Sequence, residues 1–217
     1  MLFQKVHPSI VRSIRQVSLM RDWLRARGRD ALPDILDFVP DNRAGDAADI
    51  IMIEVVRQDE RVSYFCQSAG ERVQQLFDQE MAGRLLEDCL DPPMAKAARP
   101  IWDASVAHQL PVYCIIPLAD PKGCPVTVEQ IFLPYGRARK GPDFLVGVLH
   151  AWSTEGRFIS HGLLRNVTKV PLHWAVVVDP ALKAAEPAAE GDSASEIVFD
   201  EGAPAIPDRL DAPIKGI

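Results

Sequence analysis

RVSYFCQSAGERVQQLFDQEMAGRLLEDCL, residues 61–90, is the stretch whose reading decides the fold. It begins as a strand over RVSYFCQ, residues 61–67, rich in side chains that suit a pleated surface. Ser68 stands where a helix N-cap belongs, and Glu71 follows three residues later. That is the spacing of a capping box, in which the two side chains satisfy orphaned backbone amides. Val73, Leu76 and Phe77 recur at helical spacing and predict a helix with its apolar side on a sheet. Gly83 is placed to end that helix as a left-handed cap, and Leu85, Leu86, Cys89 and Leu90 give a second short apolar face.

Upstream, ADIIMIEVVR at 48–57 is dense in Ile and Val and predicts a strand buried on both faces, joined to the next by the turn QDE as a hairpin. Downstream, DPPMAKAARPIWDASVAHQ at 91–109 predicts a longer helix opened by Asp91 and two prolines. Pro100 should kink or split it. Three strand-like runs follow: 112–118, 126–133 and 143–153. Short strands separated by turns in series imply an antiparallel meander. Residues 9–27 predict an N-terminal helix, with Pro8 in its first turn and Gly28 at its stop. Ile10, Ile14, Val17 and Leu24 share one of its faces, and Leu19 and Trp23 lie opposite. Two apolar faces call for two partners: the chain's own domain and a second subunit, unless Trp23 folds back under the following loop.

The 217 residues are 47% hydrophobic and 25% charged, with a formal net charge of −6, which suits one globular domain plus extensions. There is no run of eighteen apolar residues and no signal-peptide core, so the expected location is the cytoplasm with no membrane span. Cys66, Cys89, Cys114 and Cys124 form no CxxC pair and read as reduced thiols, without a metal site. Residues 1–30 hold seven Lys or Arg against two Asp, and residues 179–217 hold nine acidic against three basic residues. These read as solvated extensions in preference to a mutually attracting head and tail. RARGR at 25–29 and GRARKG at 136–141 read as solvated or partner-facing loops, with no nucleic-acid pattern around them. No GxSxG, P-loop, strand-following GxGxxG or HExxH occurs, and the chain does not read as an enzyme. From Pro180 onward, nine Ala and five Pro predict partial disorder, with EIVFD at 196–200 able to add a strand to a sheet edge.

Several of these runs in register resemble the PAS domain family, closest to the variety found mostly as stand-alone proteins in alphaproteobacteria. They are WLRARGRDALP, YFCQSAGERVQQLFDQEMAGRLLED, LPVYCIIPL and VTVEQIFLPYG, spanning roughly residues 20–153. The resemblance implies an α+β fold: a five-stranded antiparallel sheet of order 2-1-5-4-3 with helices on one face enclosing a pocket. The corresponding parts are an N-terminal helix and connector at 1–47, a core at 48–154 and a C-terminal extension at 155–217. It also implies a sensory or regulatory module that takes a small ligand, a protein partner or both, with a constitutive interaction scaffold as the alternative. Such domains often form homodimers through the N-terminal helix, here through Ile10, Ile14, Val17, Leu19 and Trp23.

No cofactor is required by the sequence. CQSAGERVQQL does not resemble the reactive-cysteine run of the family's flavin photosensors, so flavin photochemistry is not expected. Haem-binding members place a histidine on the long helix; His108 is read instead as a polar helix-end residue, which the helix dipole favours. His150 either lines the pocket or hydrogen-bonds on the outer face, the second being preferred. Glu129 and Gln130 occupy successive faces of one strand, so one of them must point toward the helices and needs a polar partner. Gln130 with Tyr113 is the expected polar pair, and Trp102, His108, Tyr113, Gln130 and His150 are the candidate ligand-binding residues.

Overall fold

The computed structural model describes residues 3–39, 46–59, 61–165, 167 and 174–183. They all fall within one compact unit that ends at Glu186; expectations for the chain beyond residue 183 lie outside the described residues. Among the described residues three α-helices, α1 (Ile14–Arg27), α2 (Glu71–Phe77) and α3 (Pro92–His108), accompany seven strands. The strands are β1 (Lys5–Val6), β2 (Ile50–Gln58), β3 (Arg61–Ala69), β4 (Val112–Ala119), β5 (Pro125–Tyr135), β6 (Phe144–Trp152) and β7 (Trp174–Val178).

They form one sheet of order β1-β7-β4-β5-β6-β2-β3. The expected five-stranded, wholly antiparallel sheet is therefore corrected. Within the sheet, β2 to β6 stand in the expected 2-1-5-4-3 order, but β7 pairs antiparallel with β4 and carries β1 in parallel beyond it. The far edge, β3, is also covered. Segment 83–86 lies against it, with Cys66 N–H donating to Arg84 O (2.9 Å), Gly83 N–H to Cys66 O (2.7 Å) and Leu86 N–H to Tyr64 O (2.8 Å). Covering an edge in this way removes the unpaired amides and carbonyls that would recruit a foreign strand.

The hairpin β2–β3 forms as its apolar density predicts, but the capping box does not. β3 runs on through Ser68, paired with Met52, to Ala69, so the ladder takes the residue that would have capped. Gly70 becomes the N-cap of α2 without a side-chain hydrogen bond. Its amide donates to Ile50 O at 2.8 Å, and a Cβ there would stand 2.1 Å from Ala47 O, so the chain turns where only glycine fits. α2 stops at Phe77 with Asp78 in the left-handed conformation, not at Gly83. Gly83 (φ 76°) instead turns the chain into the strip along β3. The expected second helix is a single 3-10 turn at Glu87–Cys89. Pro100 neither splits nor ends α3. The carbonyl it deprives of a partner belongs to exposed Lys96, where water can serve it.

Helices cover both faces of the sheet, not one. α2 and α3 lie over the inner face, which carries Ile51, Ile53, Phe132 and Leu149. α1 crosses the outer face and is anchored through backbone carbonyls: Trp23 Nε1 donates to Pro134 O (2.7 Å), and Gln16 Nε2 to Glu129 O and Val148 O (both 3.2 Å). The expected helix at 9–27 is a 3-10 turn, Pro8–Ile10, followed by α1 proper. Its buried stripe is Gln16, Met20 and Trp23. Trp23 is fully buried in its own chain, so its assignment to a dimer interface is corrected; Ile10, Val17 and Leu19 also pack partly against this core, and only Ile14 stands clear at 87% exposure.

At the centre of the inner face, Gly147 pairs with both Ile51 and Phe132. A Cβ on it would lie 2.6 Å from Ile51 Cγ2 and 2.9 Å from Phe132 Cε1. Gly147→Ala is expected to lower the unfolding free energy by about 1–3 kcal/mol through overpacking, read as a lower urea midpoint at unchanged m-value.

Candidate functional site

The space between α2, α3 and the inner face is where a ligand would have to sit. β2, β4, β5 and β6 supply its floor through alternate residues, and Phe77, Met94, Ile101 and Trp102 close it from above. What remains is a void of about 30 Å³, apolar but for Gln130 and the Trp102 indole. That suits a water-sized occupant. The Trp102 ring tilts against Tyr64, centroids 5.2 Å apart, and its Nε1 is buried without a hydrogen-bond partner.

A polar belt closes this layer on the α3–β3 side. Tyr64 Oη donates to Asp103 Oδ1 (2.6 Å), while Arg99 Nη1 donates to Glu87 Oε1 and its Nη2 to Val62 O (both 2.6 Å). The Arg99 guanidinium also lies over the Tyr64 ring, 5.0 Å from its centroid. Burial, then the hydrogen bond to Asp103, raises the Tyr64 phenol well above its ordinary pKa, so the belt keeps its donor.

Of the five candidate ligand residues, the structure brings Trp102 and Gln130 together at the void. Tyr113 does not join them. It pairs with Ile131 while Gln130 pairs with Cys114, so strand alternation puts Tyr113 on the opposite face. There its ring meets Trp174 edge-on at 5.9 Å, and burial followed by the nearby Glu129 carboxylate raises its pKa. The expected Gln130–Tyr113 pair is thus corrected. His108 lies exposed in the last turn of α3, away from the void. His150 lies on the outer face opposite Glu129.

Glu129 and Gln130 point to opposite faces as the alternation requires, and both are buried, because α1 covers the outer face as well. Glu129 Oε1 accepts from Trp152 Nε1 at 2.9 Å. A cleft of about 390 Å³ opens at the sheet end where His150 sits, lined also by Arg15, Asp49, Arg72, Phe158 and Ser160. Arg15 begins α1, Arg72 begins α2, and Asp49 precedes β2; no spacing rule in the sequence links three residues so far apart.

A family model for the PAS domain matches residues 11–150, more than half of the chain. The chain belongs to the PAS domain family. No curated protein matches it. PAS domains are as a class sensory and regulatory modules, and the inner-face space is the one the resemblance assigns to a pocket. In this PAS domain the side chains named above reduce it to about 30 Å³. Among the described residues no cluster of three or more His, Cys, Asp and Glu could hold a metal ion, and no helix is long and apolar enough to cross a membrane.

The buried thiols of this PAS domain give it a pH signature. Burial pushes Cys66 up to about 11 and Cys114 up to about 12, from an ordinary 9.0. As pH rises, the unfolded chain therefore loses these protons first. The stability the thiols contribute is whole below about pH 9 and declines as pH climbs through the folded values. The reduced protein should show a urea midpoint that falls above about pH 9, less steeply in Cys66→Ala. In the native state a thiol reagent should label half-exposed Cys124 first, and the three buried thiols only on unfolding.

Proposed function

We propose that this PAS domain is a regulatory module that works through protein contacts, catalysing no reaction and carrying no resident chromophore in its interior. The observation behind this reading is the inner void of about 30 Å³. Pockets for drug-sized molecules and cofactors run to roughly 300–1,000 Å³. Admitting haem or flavin would mean displacing Trp102, Phe132 and Met94 together, each of them buried.

Protein contact is supported from the surface. Ile14, Leu36 and Val39 are exposed by 87%, 86% and 78%, and a partner covering them would remove that apolar surface from water. The basic loop at 136–141 is engaged internally: Arg137 Nη2 meets Glu54 Oε1 at 2.8 Å, and Arg139 pairs with Asp30 and Asp37. This favours a structural role for the loop over a nucleic-acid contact. Four unbridged cysteines fit a reducing, cytoplasmic setting. Signalling in such a module requires a partner that binds two packing states of the helices with different affinity.

The test uses the purified protein with haem and with flavin mononucleotide. Expected are a native mass equal to that of the chain alone, no visible absorption band, and no rise in Tm with either compound. A stoichiometric haem or flavin spectrum would overturn the proposal. Phe132→Ala serves as the positive control. It should cost about 3–5 kcal/mol of stability and gain saturable binding of a benzene-sized probe that the wild-type protein lacks.

A further inference from the structure

Gln16 Oε1, Tyr113 Oη and Glu129 Oε2 are buried under α1 on the outer face, and each has no direct hydrogen-bond partner. Gln16 and Tyr113 are fully buried, and Glu129 is 5% exposed. Glu129 keeps one side-chain bond, Oε1 accepting from Trp152 Nε1 at 2.9 Å, so it is the second carboxylate oxygen that is left over. Native structures rarely leave such atoms unserved, and three on one small patch point to a shared partner.

The strand register brings the three together. Tyr113 on β4 pairs with Ile131 on β5, and Ile131 pairs with Val148 on β6. Glu129 stands two residues before Ile131, on the same face and one diagonal step from Tyr113. Gln16 Nε2 bonds to Glu129 O and Val148 O (both 3.2 Å), which sets its carboxamide over that same junction. Burial, and then the Glu129 carboxylate, raise the Tyr113 phenol above its ordinary pKa, so the two groups interact. They nevertheless stand outside direct hydrogen-bond geometry. A polar pair that interacts across more than one hydrogen-bond length is a natural seat for a bridging water.

Hydrogen-bond valence selects the occupant. The Gln16 carbonyl oxygen and the carboxylate oxygen only accept, whereas the Tyr113 hydroxyl has a proton to give. An anion would repel both acceptors. A metal cation would satisfy them and leave the Tyr113 proton unserved. Water gives two protons and takes one, which meets all three atoms with the three bonds usual for a buried water. We propose that one buried water molecule binds under α1, donating to Gln16 Oε1 and Glu129 Oε2 and accepting from Tyr113 Oη. The direct bonds of Gln16 and Trp23 go to carbonyls of β5 and β6, and the water extends the attachment of α1 to β4. The site lies on the face opposite the inner void, so it does not depend on what that void admits.

Oxygen-17 relaxation dispersion of the full chain counts long-lived internal waters without interference from exchanging hydroxyl protons. The wild-type protein should show at least one, and Gln16→Met should show one fewer, because its apolar end gives the water no acceptor. Since that variant also loses the two Gln16 carbonyl bonds, a second reading uses unmodified protein. The Gln16 carboxamide protons, identified by through-bond assignment, should give cross-relaxation with water of the sign that marks a long residence. No long-lived water in the wild type, an unchanged count in a folded Gln16→Met protein, or no water signal at the Gln16 carboxamide would each overturn the proposal. So would a Tm that rises with sodium or potassium chloride but not with tetramethylammonium chloride at matched ionic strength, which would put a metal cation in the water's place.

Discussion

The steric fit of Phe132 and Ile51 over the bare backbone of Gly147 is the constraint on which the inner layer depends. A side chain at 147 would collide with both neighbours, and without one the Phe132 ring can lie down on the sheet. Trp102 and Met94 then reach over it from α3, and the space under the helices fills. A PAS sheet with its floor lowered at that point would keep the same strand order and acquire a chamber. The size of the space under the helices is therefore a matter of side-chain volume at a few positions, and strand topology does not decide it.

The outer face obeys another logic. α1 buries Met20 and Trp23 against the sheet, and it also attaches by donating side-chain hydrogen bonds to carbonyls of the sheet: Trp23 at Pro134, Gln16 at Glu129 and Val148. Such bonds are directional and specify register, where an oily contact would allow the helix to slide. Beneath it lie buried polar groups, among them the Glu129 carboxylate and the Tyr113 hydroxyl. Gln16 is itself fully buried, so displacing α1 would strand its amide away from the two carbonyls it serves. A helix so attached has few alternative positions on the sheet.

Much of the fold was legible because strands and long helices announce themselves by periodicity. β2 to β6 appear within one or two residues of the runs that predict them, and α3 begins and ends where Asp91 and Gln109 suggest. Local signals failed wherever a tertiary bond outbid them. Ser68 with Glu71 is a sound cap in isolation, yet pairing with Met52 on β2 holds Ser68 in the sheet. Gly83 looks like a helix stop and is instead the bend that lays a strip along β3. The site was less legible than the fold. Alternation identified Glu129 and Gln130 as a pair divided between two faces, but it could not tell which face Tyr113 shared, because that depends on the β4–β5 register and not on either strand alone. The Arg15, Asp49 and Arg72 cluster had no linear signature at all, being assembled only by folding.

The parallel ribbon at the other margin of the sheet has a consequence of its own. β7 is secured on its inner side by four residue pairs with β4, and on its outer side by little more than Val177 N–H to Gln4 O (2.9 Å) and Asp179 N–H to Val6 O (2.8 Å). A two-residue clasp is the weakest seam in an otherwise continuous sheet. Fraying should therefore start there, unzipping the first residues from the last strand while the hairpins beyond stay intact. The molecule thus concentrates its looseness at one hem, leaving the central weave of β4, β5 and β6 as the part that gives way last.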